Sequence, residues 1–426
     1  MFLAQARQIY AKHSGTLANF IWRALQILGK QGVTFVIFLF CAQLLSPYDF
    51  GAYNYIFAII FMFAIFSDFG VSVTASRYAA QYKVASPGKL EILQFNSIII
   101  VLFFSSLVCI AVVLFRGKIL YFEYLVYCLP LLFAIPLTSL YDGIFRGLKR
   151  FKELSLINLL YGILFIPLIY YSVSRWGLVG AIWAHNAYYC FLCIIIVAFS
   201  FVIKVPARMQ YDRPLIADII KYSVLVGMSD VGLFLYTRAD VVILGHFNLV
   251  EEIGYYEIAY KIFIILLMPA QLLATVVAPK IAQLFVVKET ETEIKKKYIR
   301  DTKLLFSCGL VLTVFFYAFM GPLFAVLFKN YDQSILMAVM LAFIILVPFR
   351  YFSTYISIGY ITPSGNVAIS TLTIILFGVM NVILDILLIR SIGFMGVVYA
   401  TLISQFLFIL TRDLLFYFMV IRKLDG

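Results

Sequence analysis

Charged residues are scarce in this 426-residue chain, and so are the residues that usually carry catalysis. Lysine, arginine, aspartate and glutamate together make up 13% of the sequence, whereas roughly a quarter is typical of soluble domains. There are three histidines, and they form neither an HExxH motif nor a Cys/His cluster, so the sequence indicates no metal site. The low charge excludes an ordinary soluble globular protein.

The sequence supports neither a redox role for the cysteines nor a secretion signal. The six cysteines lie within or at the ends of apolar segments, and the CxxC of Cys190 and Cys193 has no thioredoxin-like βαβ context. Met1–Ser14 is polar and basic, without the short apolar core and cleavage site of a signal peptide. The connections leave no room for a soluble catalytic domain. We therefore expect neither an enzyme nor a cofactor.

Long hydrophobic runs are what the chain does contain. Hydrophobic residues make up 64% of the sequence and the mean hydropathy is +1.02. A helix needs about 20 mostly apolar residues to cross a bilayer. The pattern predicts an all-α polytopic membrane protein with about twelve transmembrane helices. They are predicted at 16–45, 50–82, 92–115, 120–147, 153–174, 177–203, 215–247, 251–286, 302–328, 333–361, 366–390 and 393–421.

The distribution of basic residues predicts the orientation of these spans. With the N-terminus inside, the inner connections hold 19 lysines and arginines and the outer connections hold five. The positive-inside rule therefore places both termini in the cytoplasm, together with the longest connection, residues 287–301. The net charge of +12 mostly reflects this bias. Because the charge is scattered over loops rather than gathered on one face, nucleic-acid binding is disfavoured.

Three sequence patterns occur twice, in the same order, at offsets of 203, 212 and 216 residues. The paired segments are Leu45–Tyr53 with Asn248–Tyr256, Pro136–Gly147 with Pro348–Gly359, and Gly177–Ala184 with Gly393–Ala400. Each half would contain six spans, so both halves would have the same orientation in the membrane. We predict two parallel six-helix lobes, at 1–203 and 215–426, joined by a cytoplasmic linker at 204–214.

Ionisable residues within the spans are the functional candidates, because charge inside a membrane is costly. The first span has a polar stripe at helical spacing, on which Lys30 has no acidic residue three or four positions away. A structural salt bridge to Asp68 or Asp230 is the main alternative role for Lys30. We predict a substrate-binding cleft that contains Lys30, Arg23, Gln26, Arg238, Arg350 and Arg146.

Four acidic residues are candidates for binding a coupling ion. These are Asp68, Asp230, Asp142 and Glu257. Two alternatives remain open. Asp142 precedes Arg146 by four residues, the favourable order for a helical ion pair. Glu257 can belong to a structural charge network with Arg238, Asp240 and Lys261. On a continuous helix Arg238 and Asp240 would lie about 200° apart and would not both face one cavity.

The segment Leu45–Tyr53, and Arg238–Phe247 leading to Gly254–Tyr256, resemble the polysaccharide-biosynthesis (Wzx-type) flippases of the multidrug/oligosaccharidyl-lipid/polysaccharide exporter superfamily. The resemblance implies a V-shaped transporter of the bacterial inner membrane with a cationic cavity. It would move an undecaprenyl-pyrophosphate-linked oligosaccharide, such as an O-antigen repeat unit, by alternating access. H⁺ or Na⁺ would be the coupling ion, and membrane lipids and polysaccharide polymerase machinery the partners.

Two other transporter classes are alternatives to the flippase. A multidrug (MATE-like) exporter of the same superfamily would favour an acidic cleft, because its substrates are organic cations. A major-facilitator carrier also has six plus six helices, but the connection Gln81–Glu91 lacks the Gly/Asp/Arg-rich signature expected there. A scaffold without transport activity would have little use for costly charge within the membrane.

Overall fold

The protein is described here by a computed structural model that covers residues 29, 31–205, 207–286 and 291–425. Nearly all of this part is α-helical, and it contains no β-strand. The α-helices are α1 (Gln31–Leu44), α2 (Pro47–Asp68), α3 (Val71–Ala85), α4 (Pro87–Leu114), α5 (Phe122–Tyr127), α6 (Leu131–Gly147), α7 (Phe151–Val202), α8 (Arg213–Thr237), α9 (Ala239–His246), α10 (Val250–Val286), α11 (Glu291–Leu327), α12 (Gln333–Ile356), α13 (Val367–Ile392) and α14 (Phe394–Phe416).

Nine helices in the described part of the chain are long and apolar enough to cross a membrane. They are α2, α4, α7, α8 and α10 to α14, with the turns of π-helix after α12 and α14 continuing two of them. The shorter apolar helix α1 covers the described part of the first predicted span. The prediction of an all-α polytopic membrane protein is confirmed.

Three predicted spans are broken rather than continuous, and this corrects the prediction from sequence. The span predicted at 120–147 divides into α5 and α6, with Cys128–Pro130 between them. The span predicted at 50–82 stops at Phe69 and Gly70, whose φ angles are 38° and 79°. The Asp68 carboxylate accepts hydrogen bonds from the backbone N–H (3.2 Å) and hydroxyl (2.8 Å) of Ser72, and so satisfies a donor at the start of α3. The span predicted at 215–247 is interrupted at Arg238, where φ is −140°.

The boundary predicted between the fifth and sixth spans lies at a sharp turn within α7. Gly177 leaves the helical conformation there, with φ 53° and ψ −131°. Gly393, its counterpart at the offset of 216, has φ 67° and ψ −148° between α13 and α14. This region is open almost only to glycine. The two segments therefore share a backbone conformation as well as a sequence pattern.

The next glycine in each segment serves close packing. A Cβ atom at Gly180 would lie 2.0 Å from the carbonyl oxygen of Ser172, and one at Gly396 would lie 2.3 Å from that of Leu388. The contacted residues are again 216 positions apart. Each glycine lets the helix after the turn approach the backbone of the helix before it, which is the packing role expected of small residues between membrane helices.

The connection predicted at 287–301 is mostly helix. α11 begins at Glu291, so only four residues separate it from α10. Its first turns are polar, and Lys297 Nζ lies 3.3 Å from Asp301 Oδ2 one turn later, a spacing that supports helix. At about 1.5 Å per residue, the 37 residues of α11 exceed the ~30 Å hydrocarbon core.

The chain forms two compact units. The first holds Ile56–Asp230 and the described part of Met1–Leu45, and the second holds Ser46–Tyr55 and Val231–Gly426. In the first unit, α3, α4, α6 and the start of α8 enclose an apolar core. In the second, Tyr236, Phe377, Phe408 and Ile409 form an apolar cluster. The predicted division into lobes at 1–203 and 215–426 stays a prediction.

The start of α2 is specified locally and packs within the second unit. The Ser46 hydroxyl accepts a hydrogen bond from the Asp49 backbone N–H (3.1 Å) and donates one to its carboxylate (2.9 Å), so Ser46 caps the helix, and proline occupies the first helical position. One turn into the helix, a Cβ atom on Gly51 would lie 1.7 Å from the Val250 carbonyl oxygen. The absence of a side chain at Gly51 permits this contact with α10.

Candidate functional site

A buried cluster of oxygen-bearing side chains lies in the second unit, around Asp240 in the first turn of α9. The Asp240 carboxylate accepts hydrogen bonds from Asn381 Nδ2 and from the Tyr256 hydroxyl. Asn381 Nδ2 also lies 3.3 Å from Asp385 Oδ2, and the two aspartates interact directly. Asp240, Asn381 and Asp385 are each at most 1% exposed.

Helix α14 completes this cluster. Ser404 donates a hydrogen bond to Asn381 Oδ1, and Thr401 Oγ1 lies 3.1 Å from the Tyr256 hydroxyl oxygen. Both α14 residues are fully buried. Asn381 and Asp385, four apart on α13, share one helix face, as do Thr401 and Ser404, three apart on α14. We refer to Asp240, Tyr256, Asn381, Asp385, Thr401 and Ser404 as the Asp240 cluster.

Local sequence explains how these side chains meet. The break at Arg238 begins a new helix, which places Asp240 in its first turn. One turn before Asn381, a Cβ atom on Gly378 would lie 2.9 Å from the Gly232 carbonyl oxygen. This close approach packs α13 against α8, the helix that precedes Asp240 in the chain.

Two buried carboxyl groups in contact require a compensating positive charge. Both cannot be ionised without a large electrostatic cost, so a proton or a cation has to accompany them. Asp385 Oδ1 is buried without a hydrogen-bond partner among the described residues. No group of three or more His, Cys, Asp or Glu side chains suited to a metal occurs in that part of the chain. Two carboxylates with neutral oxygens suit a proton or a monovalent cation.

Cations gather around tyrosines elsewhere in the same unit. Arg238 Nη1 forms a salt bridge with Glu257 Oε1, and Glu257 is 3% exposed. Tyr260 lies within electrostatic range of both Arg238 and Arg350, and Lys261 within range of Arg238 and Glu257. Two of the predicted substrate-binding arginines therefore lie within electrostatic range of one tyrosine, and Glu257 lies in a charge network with Arg238 and Lys261.

Arg350 is held on aromatic rings rather than by an acid. Its Nη1 lies 3.4 Å from the Tyr236 hydroxyl, and its guanidinium carbon lies 5.6 Å from the Tyr236 ring centroid and 5.8 Å from that of Phe408. Its Nε is buried without a partner among the described residues. Arg412 lies 4.8 Å from the Phe408 centroid but is neutralised by Asp413, at 2.8 Å. Arg350 therefore retains a positive charge available to a ligand.

The predicted acids of the first unit have separate surroundings. Asp68 caps α3 and lies within electrostatic range of Asp230, so two ion-coupling candidates are close together. Asp142 is buried on α6. Arg146 donates its Nε–H to the Asp142 backbone carbonyl at 3.2 Å, and no salt bridge joins the two side chains. The helical ion pair considered for Asp142 and Arg146 is not formed. Arg23, Gln26 and Lys30 lie outside the described residues.

Sequence reasoning does not single out the Asp240 cluster. In the sequence, Asn381 and Asp385 stand out only as part of a polar stripe, and Asp240 only as a member of a charge network. Arg412, which is buried in the second unit, is not among the residues predicted from sequence. A usable signal is present: an Asn and an Asp four apart in α13, and a Thr and a Ser three apart in α14, are polar pairs on single faces of otherwise apolar helices.

Residues 16–285, more than half of the chain, match the sequence profile of a family described as polysaccharide biosynthesis protein. The chain belongs to this family. The match confirms the resemblance inferred from the repeated motifs. No curated protein sequence matches the chain significantly.

Solved structures place this polysaccharide biosynthesis family protein in the fold of the multidrug/oligosaccharidyl-lipid/polysaccharide superfamily. It is similar to an inward-facing multidrug-resistance MATE transporter, with 18% identity, a TM-score of 0.76, and 95% of this chain and 99% of that chain covered. It is also similar to the lipid II flippase MurJ, with 19% identity, a TM-score of 0.71 and coverage of 95% and 87%. A superfamily transporter from Pyrococcus furiosus has 16% identity, a TM-score of 0.61 and coverage of 97% and 96%.

Proposed function

We propose that this protein is a flippase that moves a lipid-linked oligosaccharide across a bacterial inner membrane by alternating access. The substrate is an undecaprenyl-pyrophosphate-linked repeat unit of O-antigen or another surface polysaccharide. The observation that carries the proposal is the arginine–tyrosine group of the second unit, in a member of the polysaccharide biosynthesis family. Transport rather than catalysis fits the family and the transporters that share its fold.

The chemistry of the substrate explains why such a group is needed. A diphosphate and its sugars cannot enter hydrocarbon without losing their hydration, whereas the polyprenyl tail remains in the bilayer. Guanidinium groups donate several hydrogen bonds to phosphate oxygens, and tyrosine rings pack against sugar rings. Arg238 and Arg350, both near Tyr260, supply these two kinds of contact.

The Asp240 cluster supplies the coupling site in this proposal. A proton or Na⁺ bound between Asp240 and Asp385 would neutralise the buried acids, and its release would leave an uncompensated charge. Conformations that admit water to the cluster would then become favourable. In this way the bound ion biases the equilibrium between inward-open and outward-open states, because it binds one state more tightly than the other.

A MATE-like cation-coupled exporter is the second candidate. The Asp240 cluster is an acidic site of the kind that organic cations favour, and a multidrug transporter shares the fold. Against it, Arg350 has no carboxylate partner among the described residues, and a positive charge repels cationic drugs. Both candidates place the protein in the inner membrane, with both termini in the cytoplasm by the positive-inside bias.

Depletion of the protein in its native cells distinguishes the candidates. If it is the flippase, surface polysaccharide falls and the lipid-linked oligosaccharide accumulates in the inner membrane. Arg350→Gln should restore export about tenfold less well than the wild-type protein, because losing a charged hydrogen-bonding group costs about 1.5–3 kcal/mol. Arg350→Lys should restore part of it. Surface polysaccharide is measured at matched membrane abundance of each variant.

Arg390→Gln is the matched control, since Arg390 is an exposed arginine in the last turn of α13 of the same unit. It should export normally. Unchanged polysaccharide on depletion, together with increased sensitivity to cationic drugs, would replace the flippase with the multidrug exporter.

A further inference from the structure

A cavity of about 470 Å³ lies in the first unit beside α3 and the C-terminal end of α6, and its charged lining residues are all cations. They are Arg77 from α3, Arg146 from the last turn of α6, and Lys149 from the turn that follows. The volume falls within the range of about 300–1,000 Å³ typical of small-molecule sites.

Two glycines of α6 bring these cations onto one cavity. A Cβ atom at Gly143 would lie 2.2 Å from the Ser72 carbonyl oxygen, and one at Gly147 would lie 2.3 Å from that of Ser76. The Gly-x-x-x-Gly spacing therefore lets α6 pack directly on the backbone of α3. Arg77 follows Ser76 and Arg146 precedes Gly147, so the close approach places both arginines in the lining of the same cavity.

Two of the three cations are positioned by contacts that leave their charge in place. Arg77 lies over the Tyr222 ring, with its guanidinium carbon 4.2 Å from the centroid. Arg146 uses its Nε–H on the Asp142 carbonyl. Lys149 has φ 61°, a left-handed conformation uncommon outside glycine, in the turn that directs the chain from α6 into α7.

None of the three cations forms a salt bridge within the part of the chain that the structure describes. Favourable interaction with the C-terminal end of α6 explains a cation there, and anchoring to anionic lipids explains cations on an exposed helix end. Neither requires cations from separate elements to converge on one concave space. Like charges so arranged repel one another, and a bound anion relieves that repulsion.

We propose that this cavity binds a diphosphate or phosphate ester. Two guanidinium groups and one ammonium match the charge and the several acceptor oxygens of a diphosphate. Phe151, also in the lining, offers an apolar surface for an adjoining sugar. Building on the proposed function, the cavity is where the substrate's diphosphate docks on the cytoplasmic side before it reaches the arginines of the second unit.

Binding of inorganic pyrophosphate to the purified full-length protein tests the site. Calorimetric titration should give saturable binding, and Arg77→Gln and Lys149→Gln should each weaken it about tenfold or more. Arg77→Lys should retain part of the affinity. Arg150→Gln is the control, because Arg150 is next in sequence to Lys149 but pairs with Glu153 at 2.9 Å. Absence of binding, or equal affinity in all variants, would overturn the proposal.

Two further measurements distinguish the substrate's diphosphate from the phosphate of a membrane lipid as the bound anion. In nanodiscs of phosphatidylcholine alone and of phosphatidylcholine with phosphatidylglycerol, pyrophosphate affinity should be the same. Competition by phosphatidylglycerol would assign the cavity to a membrane lipid and overturn its role in docking substrate. Export by Arg77→Gln should fall in parallel with binding. If Arg77→Gln exports normally without binding pyrophosphate, the docking role is refuted and the flippase proposal stands. If the wild-type protein binds pyrophosphate but exports nothing, the flippase proposal is refuted.

Discussion

At the scale of single residues, the balance of charge in the Asp240 cluster depends on one extra positive charge. Asp240 already accepts two hydrogen bonds, whereas Asp385 accepts one from Asn381 and has an oxygen without a partner among the described residues. An ionised Asp385 would be a buried charge with little compensation, which is strongly destabilising. A proton or Na⁺ at this oxygen removes the penalty.

Sodium should therefore stabilise the purified protein against thermal unfolding. A ligand at 100 times its Kd stabilises the native state by about 2.7 kcal/mol, which raises Tm by several degrees. NaCl should raise Tm relative to choline chloride at equal ionic strength, and Asp385→Asn should abolish that difference. Differential scanning fluorimetry in detergent measures both.

Asp332→Asn is the matched control. Asp332 is an acid of the same unit that caps α12 through the backbone N–H of Ser334 (2.8 Å), and asparagine caps helices equally well. Its sodium response should be unchanged. A sodium response that persists in Asp385→Asn would exclude the cluster as the sodium site. A wild-type Tm that responds to pH but not to sodium would identify the ion as a proton.

Sequence identified the arginines of the candidate site but not its acids. Arg238 and Arg350 are conspicuous because a charge inside an apolar span is costly in any fold. The pairing of Asp240 with Asp385 joins residues 145 positions apart and depends on the helix break at Arg238. Sequence analysis treated that span as one continuous helix, so it oriented Asp240 incorrectly relative to its neighbours.

At the scale of helices, proline and glycine residues mark most ends of the spans but not the interruptions within them. Proline and glycine lie at the connections near Pro47 and Pro363, where the structure also ends one helix and begins the next. The break at Phe69 has a signal, Asp68 followed by Gly70, but it lies in an apolar run long enough to be one tilted helix. Such a break is stable because the Asp68 side chain satisfies a donor of α3, an interaction that hydropathy does not reveal.

Close helix packing predicts opposite effects for two glycine-to-alanine substitutions. Within a helix this change is favourable by about 1 kcal/mol when there is room for the methyl group. A Cβ atom at Gly88 in the first turn of α4 would have no neighbouring atom within 4 Å, so Gly88→Ala should leave Tm unchanged or raise it. Gly51→Ala should lower Tm by several degrees, since its methyl group would overlap the Val250 carbonyl and overpacking costs about 1–3 kcal/mol.

Both variants are compared in the same detergent by the same melting assay. Equal Tm values for Gly51→Ala and the wild-type protein would show that α2 and α10 do not pack through this glycine.

At the scale of the whole molecule, the sequence predicted the all-α membrane fold correctly, and it also contains a repeat that the structure reflects. The 216-residue offset pairs Gly177 with Gly393 in the sequence, and the two glycines have matching backbone conformations. In contrast, Ser46–Tyr55 belongs to the second unit although it lies early in the chain. Such membership is decided by contacts between residues far apart in sequence, which hydropathy and charge do not encode.

Proteoliposomes of the purified protein allow flippase activity to be measured without other cell components. A labelled undecaprenyl-pyrophosphate-linked oligosaccharide is loaded into the inner leaflet, and its exposure is followed with a glycosidase added outside. If the protein is the flippase, cleavage should rise with time above that in protein-free liposomes, faster under a sodium or proton gradient and about tenfold slower with Arg350→Gln. Cleavage no greater than in protein-free liposomes, in vesicles that do transport a cationic dye, would contradict the flippase proposal.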